Sequence, residues 1–265
     1  MKTSKLLEKF GPWAIITGAS SGIGEEYAIQ LASEKFNLVL VARRVDLLQT
    51  LGKRLSVKYG IKYIVVQVDL SISEAYKEVI AATKNLDIGL LISNAGTGRP
   101  GSFLKRTQED LTQIIQLNAL SHLWLTFHYS KLFSVRGKGG IAITGAMGAK
   151  NGIPYMAIES GTKAFVEGLS QSLNYELKNK GVHVTVLVAS PTETPVIKKL
   201  GFTKENIPAE PITAEQCVRE TLEALYNNQV TIIPGLKYRM MNAILPKSFG
   251  RNLMGKALKK NNNIN

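Results

Sequence analysis

At 265 residues, with 45% apolar and 20% charged residues, the chain is long enough to bury the core of one large α/β domain without disulfides or a structural metal. The net charge of +13 raises nucleic acid as a partner, but the excess is uneven. No acidic residue follows Glu223, whereas Lys237, Arg239, Lys247, Arg251, Lys256, Lys259 and Lys260 carry seven positive charges, so a groove-binding surface is not the reading and no nucleic-acid partner is expected. No apolar run reaches the roughly 18 residues of a membrane span, and no signal peptide is expected. A lone Cys217 offers no disulfide framework, so the expected setting is the cytoplasm.

Short β-branched runs alternate with helix-length stretches along most of the chain. Seven strands are expected, at residues 13–17, 38–41, 63–68, 89–93, 140–144, 182–188 and 230–234. Strands separated by helices imply right-handed crossovers and a mostly parallel sheet covered on both faces. The expectation is therefore a single domain over residues 1–265, a doubly wound Rossmann fold.

The first strand runs into Thr17-Gly18-Ala19-Ser20-Ser21-Gly22-Ile23-Gly24, followed by a helix with apolar Tyr27, Ala28, Leu31 and Ala32. A glycine turn between strand and helix lets backbone amides approach a pyrophosphate, and the helix start presents its positive dipole end to that anion. The second strand ends in Val41-Ala42-Arg43-Arg44, where an NAD-preferring site carries an acidic residue for the ribose. Arginine suits a 2′-phosphate, so NADP(H) is expected in preference to NAD(H), with Arg43 as the closer contact and Arg44 beside it.

Together with Asp69-Leu70, Asn94-Ala95-Gly96, Asn118 and Lys163, this turn resembles the short-chain dehydrogenase/reductase family over roughly residues 10–195. The resemblance implies Gly18, Ser20, Ser21, Gly22, Ile23 and Gly24 around the phosphates, and Asp69 and Leu70 beside the adenine. It further implies Asn94, Ala95 and Gly96 along the cofactor groove, Lys163 on the nicotinamide ribose and Thr194 on the nicotinamide amide. Asp69 alone reads equally well as a helix cap. Where the family has Pro-Gly before that threonine, this chain has Ala189-Ser190.

In the family a tyrosine exchanges the substrate proton, a lysine lowers its pKa, a serine orients the carbonyl and an asparagine supports a proton relay. Asn118 and Lys163 match this set, but Ala146 stands at the serine position and Glu159 at the tyrosine position. A glutamate with an ordinary pKa near ~4.3 carries a proton about once in 500 at pH 7, so as a proton donor it costs roughly 3.7 kcal/mol. The spacing of Glu159 and Lys163, four residues apart with Glu first, predicts a helical ion pair that occupies the ammonium.

Three readings follow. In the first, NADPH reduces an activated carbonyl, with the proton coming from Tyr155, Thr144 or water, although Tyr155 is more simply a pocket-wall aromatic. In the second, Glu159 abstracts an acidic proton or promotes elimination without redox turnover. In the third, the chain is an inactive cofactor-binding protein with a regulatory or partner role. His122, His128 and His183 show no ligand spacing, and no metal is expected.

The substrate expected is a small molecule, hydrophobic or acyl, covered by the segment 196–208 with its apolar Val196, Ile197, Leu200 and Phe202. The resemblance implies a homodimer or homotetramer packed through the helix that starts near Glu159. The basic extension at about 235–260 has an amphipathic pattern broken at Pro246 and Gly250, expected as a docked helix with a solvated basic face in preference to a membrane-surface contact. Residues 233–242 resemble the tail of acyl- or lipid-handling branches of the family. The terminal asparagines 261–265 are expected to fray.

Overall fold

Seven parallel strands form one sheet in the order β3-β2-β1-β4-β5-β6-β7, in a computed structural model that describes residues 4–203 and 206–264. In chain order the elements are α1 (Lys5–Phe10), β1 (Trp13–Thr17), α2 (Gly22–Ser33), β2 (Asn37–Ala42), α3 (Val45–Tyr59), β3 (Tyr63–Gln67), α4 (Tyr76–Thr83) and β4 (Ile88–Ser93). There follow α5 (Gln108–Ile115), α6 (Ser121–Arg136), β5 (Gly139–Ala146), α7 (Ala157–Leu177), β6 (Val182–Ala189), α8 (Pro195–Lys199), α9 (Ala214–Tyr226), β7 (Thr231–Ile232), α10 (Leu236–Ile244) and α11 (Lys247–Asn261). The expected doubly wound sheet is what forms, with strand ends moved by one to two residues.

Burial on both faces explains the near-continuous apolar strands: every residue of β4 is buried, and so are all of β1 after Trp13. Alternate residues of β1 then feed opposite layers. Ala14 and Ile16 join Tyr27, Leu31, Leu48 and Leu222 on one side, and Ile15 joins Leu125, Tyr129, Phe133 and Val166 on the other. Helix ends follow local chemistry. Thr107 and Thr213 cap α5 and α9 by accepting from the backbone amides of Asp110 and Gln216, each at 3.1 Å. Gly60 ends α3 in the left-handed region, φ 70°.

The order reverses between β1 and β4, the chain running outward to β2 and β3 on one side and to β5, β6 and β7 on the other. Such a switch point opens a crevice at the carboxyl ends of the strands.

The C-terminal segment departs from expectation. Its break falls at Leu245 and Pro246, whereas Gly250 lies inside α11, whose glycine is tolerated in an exposed stretch. The terminal asparagines are held down to residue 264: the Asn262 amide donates to the carbonyls of Leu200 and Leu258, each at 3.0 Å, and Ile264 is buried. Among the described residues no helix is long and apolar enough to cross a membrane, and no His, Cys, Asp and Glu cluster could hold a metal ion.

Candidate cofactor groove and active site

The loop after β1 is shaped by close backbone approaches that only glycine permits. Gly18 sits at φ 71°, and a Cβ there would stand 3.0 Å from the Ala95 Cα. A Cβ on Gly24 would stand 2.2 Å from the Gly18 carbonyl oxygen. Thr17 fastens this loop across the switch point: its hydroxyl accepts from the amides of Asn94 and Ala95, both at 2.9 Å, while the Asn94 side chain donates to the Thr17 carbonyl at 3.2 Å. The groove floor is thus built before any ligand arrives. Ile23 packs at the edge of the core behind it, and Thr194 covers the turn, since a Cβ on Gly22 would meet its side chain at 3.1 Å.

The two arginines after β2 have different partners within the protein. Arg44 Nη2 donates to the hydroxyls of Ser20 and Ser21, each at 2.9 Å, and to the Ser20 carbonyl at 3.1 Å, so it lies along the glycine turn. Arg43 Nη1 instead stands 3.5 Å from Asp69 Oδ2. The other Asp69 oxygen accepts from the Ser71 amide and hydroxyl at 3.0 and 2.7 Å. Burial works against its charge, but the Ser71 bonds and the Arg43 guanidinium outweigh it and hold the carboxyl below its usual range. Leu70 is buried beneath.

At the other end of the groove, Asn118 lies in a π-helical turn (Gln116–Leu120) that joins α5 to α6, a distortion frequent at functional sites. It is fully buried and grips the loop after β4 with two bonds: its amide donates to the Thr97 carbonyl and its oxygen accepts from the Thr97 amide, both at 2.9 Å. Lys163, in the second turn of α7, reaches back to donate from Nζ to the Thr144 carbonyl at 2.6 Å. A Cβ on Gly96 would come within 3.2 Å of Nζ and 3.3 Å of the Asn118 oxygen, so lysine, asparagine and Gly96 meet at one point. The Thr144 hydroxyl is spent on Asn94, at 3.1 Å.

Burial pushes the Lys163 ammonium down to about 8. Burial, then the Lys163 charge, pushes the neighbouring His122 down to about 3, leaving it a neutral ring that shares a 2.7 Å bond with Ser93.

A stability signature follows for Lys163. Its proton is bound less tightly in the fold than in the unfolded chain, where the ordinary value is 10.5. Below about 8 both states are protonated and the desolvation cost is present in full; between about 8 and 10.5 only the unfolded chain keeps the proton, so stability rises with pH. Measured by urea unfolding, the protein should gain stability relative to Lys163→Met across that window. Cys217 and Tyr129, both raised by burial to about 12, act in the opposite sense but are common to both proteins. A pH-independent difference would show that the ammonium is solvated.

Glu159 does not pair with Lys163, contrary to the spacing argument. In the first turn of α7 it is buried, and Oε1 accepts from the Arg99 amide at 3.0 Å while standing 3.7 Å from Arg106 Nη2. Arg106 also donates to the Arg99 carbonyl, and the Gly101 amide donates to the Tyr155 carbonyl at 2.9 Å. The loop from 97 to 106 is therefore latched to the start of α7, with the carboxylate as its anchor. Its helical neighbour lost because Lys163 is drawn to the opposite side by the Thr144 carbonyl.

Glu159, Arg106 and Tyr155 border a cavity of about 240 Å³ with Phe103, Leu111, Ile114 and Ile158. Tyr155 takes φ 65°, a costly conformation for an aromatic residue, and stands as a wall of this cavity as expected. Ala146 closes β5, paired with Ala189 across β6, and offers no hydroxyl.

The glycine turn thus meets Asn94 and Ala95 across the switch point, and Asn118 and Lys163 converge on Gly96. Thr17, Thr97, Arg99 and Arg106 escaped the sequence reading. Thr17 opens the glycine motif, but nothing local marked the loop arginines as partners of a residue more than 50 positions away.

Comparison with known proteins agrees with this architecture. The chain is 38% identical over 205 residues to a very-long-chain 3-oxoacyl-CoA reductase of Neurospora crassa, covering 76% of this chain and 61% of that protein. It is 30% identical over 233 residues to a 7beta-hydroxysteroid dehydrogenase of Mediterraneibacter gnavus, covering 87% and 88%. The chain spans only about 55 to 61% of the length of the first two curated relatives it matches, both very-long-chain 3-oxoacyl-CoA reductases. A solved short-chain dehydrogenase from Sphingobium yanoikuyae, in complex with NADPH, superimposes with a TM-score of 0.79 at 31% identity, covering 88% of this chain and 93% of that one. The short chain dehydrogenase family model matches residues 12–205, and with the Rossmann sheet, the glycine turn and the Asn118–Lys163 pair it places this chain in that oxidoreductase family.

Proposed function

We propose that the protein binds NADP(H) and reduces the carbonyl of a bulky apolar substrate, with the proton delivered from Lys163 Nζ and not from Glu159. The observation that carries this reading is the parting of those two side chains: Nζ lies at the groove beside Gly96 and the Thr144 carbonyl, while the carboxylate is engaged by Arg99 and Arg106.

The residues fit the cofactor. Gly18, Gly24 and Gly96 form a cradle that a Cβ would fill. Arg43 and Arg44, both exposed at the end of β2, would supply guanidinium donors for a 2′-phosphate, Ser20, Ser21, Gly22 and Ile23 would hold the pyrophosphate, and Asp69 and Leu70 would border the adenine. The hydride for the carbonyl carbon would come from NADPH when it is bound. Lys163 Nζ would give its proton to the carbonyl oxygen, directly or through one water, and recover one from solvent. A pKa near 8 suits an amine to this task better than the ordinary value does. Asn118 keeps the Thr97 backbone, and with it the groove edge, in place.

Phe103, Leu111, Ile114, Tyr155 and Ile158 give the substrate side an apolar wall, in keeping with a hydrophobic or acyl compound. A homodimer or homotetramer fits the apolar Trp124, Phe127 and Phe165 exposed on α6 and α7, and the buried thiol of Cys217 fits a cytoplasmic setting.

A second reading, a cofactor-binding protein with a regulatory role, is favoured by the missing Ala146 hydroxyl and by the use of Glu159 as a latch. Assay of NADPH oxidation against a panel of bulky ketones, with product analysis and cofactor titration, separates them. Stoichiometric oxidation supports reduction. Tight NADPH binding with no product supports the regulatory role, and product without oxidation would make Glu159 a base.

A further inference from the structure

The corner between α10 and α11 stands away from the body of the protein: every residue from 242 to 253 is exposed. On α10, Leu236, Met240 and Ile244 recur at four-residue spacing and all three are exposed, Ile244 at 73%. On α11 Phe249, at 56%, and Leu253 repeat that spacing, with Leu245 between the helices. Large apolar side chains gathered on one projecting corner are an interaction surface, because a monomeric surface seldom leaves so many together.

Charge says what the surface meets. Lys237, Lys247, Arg251 and Lys256 are exposed on the same two helices, and among the described residues none of them lies within ion-pair distance of a carboxylate; the salt bridge of this region joins Arg239 to Glu220. The last 42 residues contain no acidic side chain, so a self-associating face would bring like charges together.

We infer that the α10–α11 corner docks on an anionic lipid bilayer, with Ile244, Leu245, Phe249 and Leu253 entering the headgroup boundary and Lys247 and Arg251 meeting lipid phosphates and carboxylates. An apolar face with a cationic rim is the pattern that lies in a membrane interface, and it needs no spanning helix.

The corner is joined to the site by close packing. Gly255 of α11 packs so closely on Pro154, next to Tyr155 of the cavity wall, that a Cβ would stand 2.7 Å from the ring. The same helix is followed by Asn262, which holds the Leu200 carbonyl after α8. Docking therefore sets the edge of the candidate site against the bilayer, where an apolar substrate would be concentrated.

The test is co-sedimentation of the whole protein, without cofactor, on vesicles of phosphatidylcholine alone and of phosphatidylcholine with about 30% phosphatidylserine. Binding to the anionic vesicles only, weakened by salt, is expected. Lys247→Glu/Arg251→Glu should weaken it roughly 25-fold or more, and Ile244→Ser/Phe249→Ser should abolish it. All four positions are exposed, so unchanged circular dichroism and melting should accompany both variants. Equal binding to both vesicles, or binding that survives both double variants, overturns the inference. So does a concentration-dependent dimer that Ile244→Ser/Phe249→Ser dissociates without any vesicle binding, which would assign the corner to a second copy. Because the assay uses no NADPH, it stands or falls separately from the proposed reduction.

Discussion

Exchanging Ala146 for Ser and Glu159 for Tyr together should raise the rate of NADPH oxidation with a bulky ketone by about 10²–10⁴-fold, the usual gain from a positioned acid in proton transfer. Lys163 is already where a tyrosine at 159 would need it, one helical turn away, buried and uncommitted to any carboxylate among the described residues. Ala146 ends β5 beside the groove, so a serine there adds a donor without entering the core. The exchange also removes the anchor of the 97–106 loop. Arg106 loses its partner and the Arg99 amide its acceptor, which should lower stability by roughly 3 kcal/mol. Rate and urea midpoint should therefore move in opposite directions in the same variant. A stability loss with no gain in rate would mean that the latch, and not the missing hydroxyls, determines whether the site works.

Removing both guanidiniums with Arg43→Ala/Arg44→Ala should raise the NADPH dissociation constant by about 10²–10⁴-fold, from two charge-assisted contacts at roughly 1.5–3 kcal/mol each, and leave NADH binding within a few-fold. The structure gives each arginine a separate post, Arg44 along Ser20 and Ser21 and Arg43 against Asp69, so both can turn to one phosphate with little movement of the chain. Fluorescence titration at constant ionic strength measures both cofactors. Equal weakening of NADPH and NADH would assign the arginines to folding of the turn, and no weakening of either would remove the 2′-phosphate from the account.

Much of this fold is legible in the sequence. Parallel strands buried on both faces write themselves as apolar runs, and the glycine turn between β1 and α2 is a local pattern because the close approach of Gly24 to Gly18 is made within one loop. Asn118 and Lys163 were recognisable by their places in the family pattern. What failed depended on distant partners. The spacing of Glu159 and Lys163 pointed to each other, but a helical neighbour adds only about 0.2–0.5 kcal/mol. A buried carboxylate gains more from the Arg99 amide and the Arg106 guanidinium, which arrive from a loop 53 to 60 residues earlier in the chain. The C-terminal corner was legible only in part for a related reason. Its amphipathic pattern reads as a docked helix, and Gly255 and Leu258 do dock, while the apolar residues before them are exposed.

The central claim is that Glu159 holds a loop and does not move the proton. The direct measurement is NADPH oxidation by the protein and by Glu159→Gln, side by side, against bulky ketones. Glutamine keeps the shape and can still accept from the Arg99 amide but cannot act as a carboxylic acid. Turnover by both proteins, equal within about threefold, is the result this account predicts, since a positioned acid contributes about 10²–10⁴-fold when it is used. Loss of turnover in Glu159→Gln on that scale, with its fold and NADPH binding intact, would contradict it.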